Sequence, residues 1–356
     1  MSKRICPYCY KQYNVSDLKM YCRKCQKDFF INQLKWQDKV YFKLGSLPKL
    51  DYCIHCGKTK RSNILFKCSS CNQSLSRDII ELKNKVISII GGRGSGKTIY
   101  ISLLIDFIEN NIKLGNNQTF MGIEGDKRED KNDLIAKIQD RIKINKEVPD
   151  ATEPKELQSE ESTAGIPLIY FYKNAEEIIA LSFYDSAGED LQNFEALQEY
   201  DYILHSSGIV FVMDIFSGVE HLRNTKNTLI NLMGLIRTER GLNRNTKISI
   251  PIAFVFNKFD LYNGGKLEER HILWDGNNNE DILNEIDKLH NNLLKHFKDN
   301  SIDGLDNLLE ICNQNFINYK FIPVSSLGYN PMDNNLTDEI KSFDIEYPYV
   351  YLFNNI

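Results

Sequence analysis

Eight consecutive residues, Gly91-Gly92-Arg93-Gly94-Ser95-Gly96-Lys97-Thr98, carry the pattern GxxxxGK[ST]. Glycines at such spacing let the backbone curl until successive N–H groups point at phosphate oxygens. A helix that starts on the loop presents its positive end to the same charge. Lys97 is placed to bridge the β- and γ-phosphates of a nucleotide, and the Thr98 hydroxyl to ligate Mg2+. Further along stands Asp185-Ser186-Ala187-Gly188. An Asp at a strand end suits a water-mediated Mg2+ contact, and Gly188 lets a backbone N–H approach a γ-phosphate.

The base is decided by Asn257-Lys258-Phe259-Asp260. A carboxylate at Asp260 can accept both hydrogens of the guanine edge, from N1 and the exocyclic amine. Adenine presents the opposite polarity and would leave a buried carboxylate unpaired, at a cost of several kcal/mol. The Lys258 stem is expected along the base, and Asn257 is expected to tie this loop to the phosphate loop. Ser325-Ser326-Leu327 follow an apolar run and form a turn whose backbone can donate to the guanine carbonyl oxygen.

A second chemistry lies before residue 72, where eight of the nine cysteines form four CxxC pairs. In a reducing compartment that pattern reads as metal binding rather than disulfides. Taken in order, Cys6, Cys9, Cys22 and Cys25 make one four-thiolate set, and Cys53, Cys56, Cys68 and Cys71 a second. Each fits a structural, tetrahedral Zn2+. Each module is too small to bury a core alone, so the metal supplies folding free energy. His55, inside a CxxC turn, is expected to be exposed. The aromatics Trp36, Tyr41 and Phe42 of the connecting segment are expected to pack between the modules, with stacking on bases as the alternative.

The elements that must position these groups can be read around them. Residues 85–90 and 252–256 are short, continuous apolar runs, as buried parallel strands show, and each ends at a motif. Ile209–Asp214 is expected as the central strand. Residues 166–172 and 178–184 read as a hairpin ending at Asp185. The chain divides as 1–31 (zinc ribbon), 32–51 (linker), 52–80 (second ribbon) and 84–356 (nucleotide-binding domain). Cys312, at helical spacing with Leu305, Leu308 and Leu309, is expected to be a core thiol.

Composition is that of a globular protein, with 42% hydrophobic and 26% charged residues. No apolar run approaches the ~18 residues of a membrane span. Neither a secretory leader nor a lipidation box is expected, so the cytoplasm is the expected compartment. The net charge of -4 conceals an asymmetry: residues 1–85 hold 18 Lys+Arg against 6 Asp+Glu, a balance of +12. A basic module beside an acidic one points to an anionic partner such as nucleic acid or anionic lipid, to packing on the acidic domain itself, or to a solvated face.

On these four motifs in this order, residues 84–356 resemble a TRAFAC-class P-loop GTPase of the Ras-like kind. The resemblance implies an α/β fold, a mostly parallel six-stranded sheet wrapped by helices, here preceded by two small zinc ribbons. It implies GTP/GDP and Mg2+ as ligands, and a regulatory switch that works with a protein partner or a second GTPase. More loosely, ribbons fused to such a domain are similar to double-GTPase proteins of bacterial conflict systems, which act in antiviral defence. The pattern departs in three places. The switch threonine that closes over Mg2+ is Thr163 or Thr152. Glu189 follows the DxxG motif where glutamine usually orients the attacking water. Arg93 stands near the γ-phosphate where relatives have glycine; it could supply charge in cis or block an incoming arginine. The departures at Glu189 and Arg93 imply slow unaided hydrolysis.

Overall fold

The computed structural model describes residues 4–6, 9–43, 47–75, 77, 80, 85–92, 94–111, 140–148, 168–173, 178–183, 201–214, 218–262, 278–300, 305–329, 331, 336 and 339–356. The chain divides into two compact units, one built round Met1–Val86 and the other holding the parallel sheet. The strands Leu168–Lys173 (β10) and Ile178–Phe183 (β11) form a two-stranded sheet of their own, as the hairpin pattern predicts.

In the first unit the strands are β1 (Arg4–Ile5), β2 (Gln12–Tyr13), β3 (Lys19–Cys22), β4 (Lys27–Phe30), β5 (Tyr52–Cys53), β6 (Gly57–Lys58), β7 (Ile64–Lys67) and β8 (Ser74–Leu75), with helix α1 (Trp36–Lys43) between β4 and β5. Four of them join in one antiparallel sheet of order β4-β3-β7-β8. Met20 stands opposite Phe66 and Cys22 opposite Ile64, so the two halves expected as separate ribbons share a sheet. They also share a core, in which Met20, Phe29, Phe42, Phe66 and Leu75 are all buried. The reason is size: neither half has enough apolar surface to bury alone, whereas together they close one core.

The second unit carries a parallel sheet of order β14-β13-β12-β9, formed by β9 (Ile87–Gly91), β12 (Gly208–Met213), β13 (Ile252–Phe256) and β14 (Tyr319–Pro323). Every residue of β9, β12 and β13 is buried, which is why those strands read as unbroken apolar runs rather than alternations. Among the described residues the expected six-stranded sheet is not formed as one: the parallel sheet has these four strands, and β10 and β11 make a separate pair, nearly all of which falls in the first unit. Helices α2 (Lys97–Asn111), α3 (Asp201–Leu204), α4 (Val219–Glu239), α5 (Phe259–Tyr262), α6 (Asn279–Asn300), α7 (Leu305–Asn315) and α8 (Tyr347–Asn355) accompany the sheet. α6 packs on β14, and α8 packs on α6, β12 and β13. Phe254 sits among Phe211, Phe316, Tyr319 and Phe321 with ring centroids 5.4 to 6.0 Å away. Cys312 is fully buried on α7, and burial pushes its thiol upward, as expected of a core cysteine.

His290 of α6 ties that helix to the edge strand: its Nδ1 accepts the Phe321 N–H at 3.0 Å. Burial pulls its pKa down from 6.5 to about 4, the Lys320 ammonium adds to the fall, and Asp287 opposes it. The ring is therefore neutral in the fold but protonated in the unfolded chain below about pH 6.5. Stability is held above that pH and is lost as pH drops towards 4, by roughly 2 kcal/mol between pH 7 and pH 5. His290→Gln keeps an acceptor for Phe321 and removes the titration. Its urea midpoint should fall less between pH 7 and pH 5 than the parent's; equal falls would discount this role for His290.

Candidate functional site: a nucleotide pocket at the strand ends and two thiolate clusters

All four parallel strands end on one edge of the sheet, and the predicted motifs start there, at the place where open α/β sheets bind ligands. Beyond β9 the loop 91–96 leads into α2. Gly96 has φ +82, and a Cβ on it would stand 2.5 Å from Asn257 Nδ2. The glycine is therefore needed both for its backbone and for the approach of the base loop. Lys97 is 6% exposed, and its ammonium donates to the carbonyls of Gly91 at 2.8 Å and Gly92 at 3.1 Å. Ser95 is buried, and its hydroxyl lacks a hydrogen-bond partner among the described residues. An orphaned hydroxyl inside a loop of curled amides fits an anion that would accept from it.

Asn257 follows β13. Its amide donates to the Ser95 carbonyl at 2.8 Å, and its Oδ1 accepts from Ser326 Oγ at 3.0 Å. One side chain thus joins the phosphate loop, the base loop and the Ser-Ser turn. Asp260 is 4% exposed in the first turn of α5 and accepts a hydrogen bond from Ser325 Oγ. The same Ser325 oxygen accepts the Gly328 N–H at 2.9 Å, so its proton is committed to the carboxylate. The turn is held from outside: Ser342 Oγ donates to the Ser326 carbonyl at 2.7 Å, and Lys341 N–H to the Leu327 carbonyl at 3.0 Å. Gly328, φ +85, passes too close to the Lys341 carbonyl to carry a side chain.

Lys258 has φ +58, and its ammonium bonds Asp214 Oδ2 at 2.6 Å. Asp214 is 2% exposed at the end of β12. His221, near the start of α4, lies 3.9 Å from the same carboxylate oxygen, and its Cε1 is 3.4 Å from where a Cβ on Gly94 would stand. The phosphate loop and the base-side lysine are thus linked through one buried carboxylate. The order of contact is Gly94, His221, Asp214, Lys258.

In the cysteine module the thiols gather as Cys6, Cys9, Cys68 and Cys71, and as Cys22, Cys25, Cys53 and Cys56. This corrects the pairing read from sequence order. The outer two CxxC turns share one cluster and the inner two share the other, because β3 pairs with β7 and brings the halves face to face. Within each cluster the sulfurs lie within 4.8 Å of one another, with closest separations of 3.7 and 3.8 Å. A tetrahedron with Zn–S of about 2.3 Å has edges of about 3.8 Å, so the thiols fit zinc. Each turn ends with a residue in the left-handed region just after its second cysteine: Tyr10, Gln26, Gly57 and Asn72. That kink turns both thiols of a pair to one side. His55 is exposed, and its Nε2 contacts the Asp28 carbonyl oxygen at 3.0 Å, outside either cluster.

The pairing has a direct test. A chain with Cys9→Ser and Cys71→Ser should still hold one zinc tightly, because both changes fall in one cluster. Cys9→Ser with Cys22→Ser should hold none tightly. Zinc per chain after dialysis against a mild chelator distinguishes the two. The reverse pattern would restore the order-based pairing.

The sequence profile of the Double-GTPase 2 family matches residues 85–307, more than half of the chain. The chain belongs to the Double-GTPase 2 family. Membership makes it a GTP-binding GTPase. Among solved structures it is similar to the Arl6 BBS3 small GTPase from Trypanosoma brucei with bound nucleotide analogue GppNp. That match has 10% identity, covers 76% of this chain and 96% of the other, and has a TM-score of 0.32. No curated protein matches the chain.

Among this Double-GTPase 2 chain's expected site residues, the structure brings together Gly91, Gly92, Gly94, Ser95, Gly96, Lys97 and Thr98 with Asn257, Lys258, Asp260, Ser325, Ser326 and Leu327 at the strand ends. Arg93, Thr152, Thr163, Asp185, Gly188 and Glu189 lie outside the described residues. Sequence reasoning missed Asp214, His221 and Ser342. For Asp214 a signal existed: a carboxylate closing an apolar strand whose neighbours all end in motifs. Ser342, distant in sequence and in plain surroundings, offered none. Among the described residues no helix is long and apolar enough to cross a membrane.

Proposed function

We propose that this GTPase is a regulatory switch of the cytosol. It takes GTP and Mg2+, turns over slowly when alone, and uses its cysteine module to recruit a partner. The observation that carries the reading is the cross-tied pocket edge. Asn257 binds the loop that would hold the phosphates, and Asp260 and Lys258 are each fixed by a buried partner. A pocket edge cross-tied by the chain's own hydrogen bonds needs little ordering by its ligand, which leaves binding free energy to order the switch segments.

Residue roles follow from the sequence motifs. The amides of the 91–96 loop and the Lys97 ammonium take the β- and γ-phosphate oxygens, and Asp260 takes the guanine edge. Thr98 and Asp185 would hold Mg2+, with Thr163 or Thr152 completing its shell, and the ion would supply positive charge against the phosphates. Water attacks the γ-phosphorus, a P–O bond forms, and the bond to the β–γ bridging oxygen breaks with its electron pair leaving on GDP. On the motif pattern, Gly188 would donate its N–H to the γ-phosphate, Glu189 would accept from the water, and Arg93 would either supply charge in cis or block an incoming arginine. Each cysteine cluster holds one structural Zn2+. On the resemblance to conflict-system proteins alone, we extend the reading to a bacterial antiviral role.

Phosphate release under single-turnover conditions tests this. A dilute chain should hydrolyse GTP on the order of 10⁻⁴ to 10⁻² per second, faster as its concentration or that of a co-purifying partner rises. Fast release by the dilute chain would refute the need for a partner. Tight GTP binding with no release under any condition would favour a second reading, a non-hydrolysing scaffold, for which Glu189 in place of glutamine is the motivating residue.

A further inference from the structure

The aromatic residues of α1 do not all pack between the two halves of the cysteine module, as their sequence suggested. Phe42 does, at 1% exposure, but Trp36 is 72% exposed, Tyr41 51% and Val40 42%. At about 3.6 residues per turn, Lys35, Lys39, Trp36 and Val40 succeed one another round one side of the helix, and Tyr41 lies about 140° from Trp36. The acidic residue of α1, Asp38, is turned inward, where it accepts the Tyr52 hydroxyl at 2.6 Å. Two ammonium groups border the face. Lys35 Nζ lies 4.6 Å from the Tyr52 ring centroid, and Lys39 Nζ donates to the Asn32 carbonyl at 2.7 Å. A third ring, Phe30 at the end of β4, is 46% exposed.

Scattered exposed apolar residues are ordinary. A tryptophan 72% exposed, with two ammonium groups beside it on its side of the helix and no carboxylate there, set on a segment with a balance of +12 over residues 1–85, is not. A lipid surface takes a broad apolar face that inserts as one, and beside Trp36 this side of the helix has only Val40. An apolar protein groove would make no use of the positive excess. Single-stranded nucleic acid uses both: bases stack on rings whatever their sequence, and the backbone is drawn to cations. We propose that the outward face of α1 is a stacking platform for single-stranded nucleic acid, with Trp36 as its principal ring. The proposal does not depend on the nucleotide pocket.

The test uses the full zinc-loaded chain and a fluorescein-labelled strand of about 20 uridines, followed by anisotropy from about 50 to 300 mM salt. The strand should bind, with log affinity falling linearly against log salt. Trp36→Ala should weaken binding about tenfold or more, and Trp36→Phe should recover most of that loss. Both variants should keep two zincs per chain and unchanged GTP affinity. The idea fails if the strand does not bind at the lowest salt, or if Trp36→Ala binds as tightly as the parent. It also fails if a duplex of the same length, or a phosphatidylserine vesicle, is preferred to the single strand.

Discussion

Asp260→Asn should lower GTP affinity by at least about 100-fold and raise affinity for xanthosine triphosphate. The direction follows from Ser325. Its oxygen accepts from Gly328 and its proton goes to Asp260 Oδ1. An asparagine would place its carbonyl oxygen at that position and its NH2 at the other. The base would then meet a donor where guanine also presents a donor, an unsatisfied buried contact worth about 3 kcal/mol. Xanthine has a carbonyl there and is matched. Competition of GTP, XTP and ATP against a fluorescent guanine nucleotide reads the change. Unaltered GTP affinity would remove the carboxylate from base recognition, and equal competition by ATP in the parent would remove guanine specificity itself.

Lys97→Ala should abolish measurable triphosphate binding, a loss of roughly 100- to 1000-fold, while leaving both zincs in place. Charge-assisted hydrogen bonds to phosphate are each worth about 1.5–3 kcal/mol, and the ammonium sits within the loop by virtue of the Gly91 and Gly92 carbonyls. Calorimetric titration with a non-hydrolysable GTP analogue and Mg2+ measures the loss. Retained affinity would mean that the loop amides alone hold the phosphates.

The strands of the second unit were legible because strands buried on both faces leave continuous apolar runs, and their ends were marked by glycine, asparagine and serine motifs. Asn257 was foreseeable as the tie between two loops, since a motif places it in the one turn that faces the other. The cysteine pairing was not legible. Twelve and eleven residues separate the CxxC pairs within the two halves, so local spacing supports each half closing on itself. What decides otherwise is the pairing of β3 with β7, a contact across more than forty residues that no local pattern encodes. The burial of Phe42 and the exposure of Trp36 were hidden for a related reason. Helical spacing shows that the two residues point apart, but not which side the sheet will cover. Asp214 escaped notice because its partner, Lys258, already had a role assigned along the base.

The nesting of the two thiolate sets imposes a sequence on assembly. As the chain emerges from the ribosome, Cys53 and Cys56 can meet Cys22 and Cys25 before Cys68 has left the exit tunnel. Capture of the inner ion ties Cys25 to Cys53 and leaves only the twelve residues from Cys9 to Cys22 and the eleven from Cys56 to Cys68 to be ordered for the outer site. Shorter closures cost less entropy, so the first ion raises the affinity for the second. If each set holds a zinc, a chelator that strips the inner ion will therefore also loosen the outer one, while the inner set keeps its own four thiolates when the outer ion is lost.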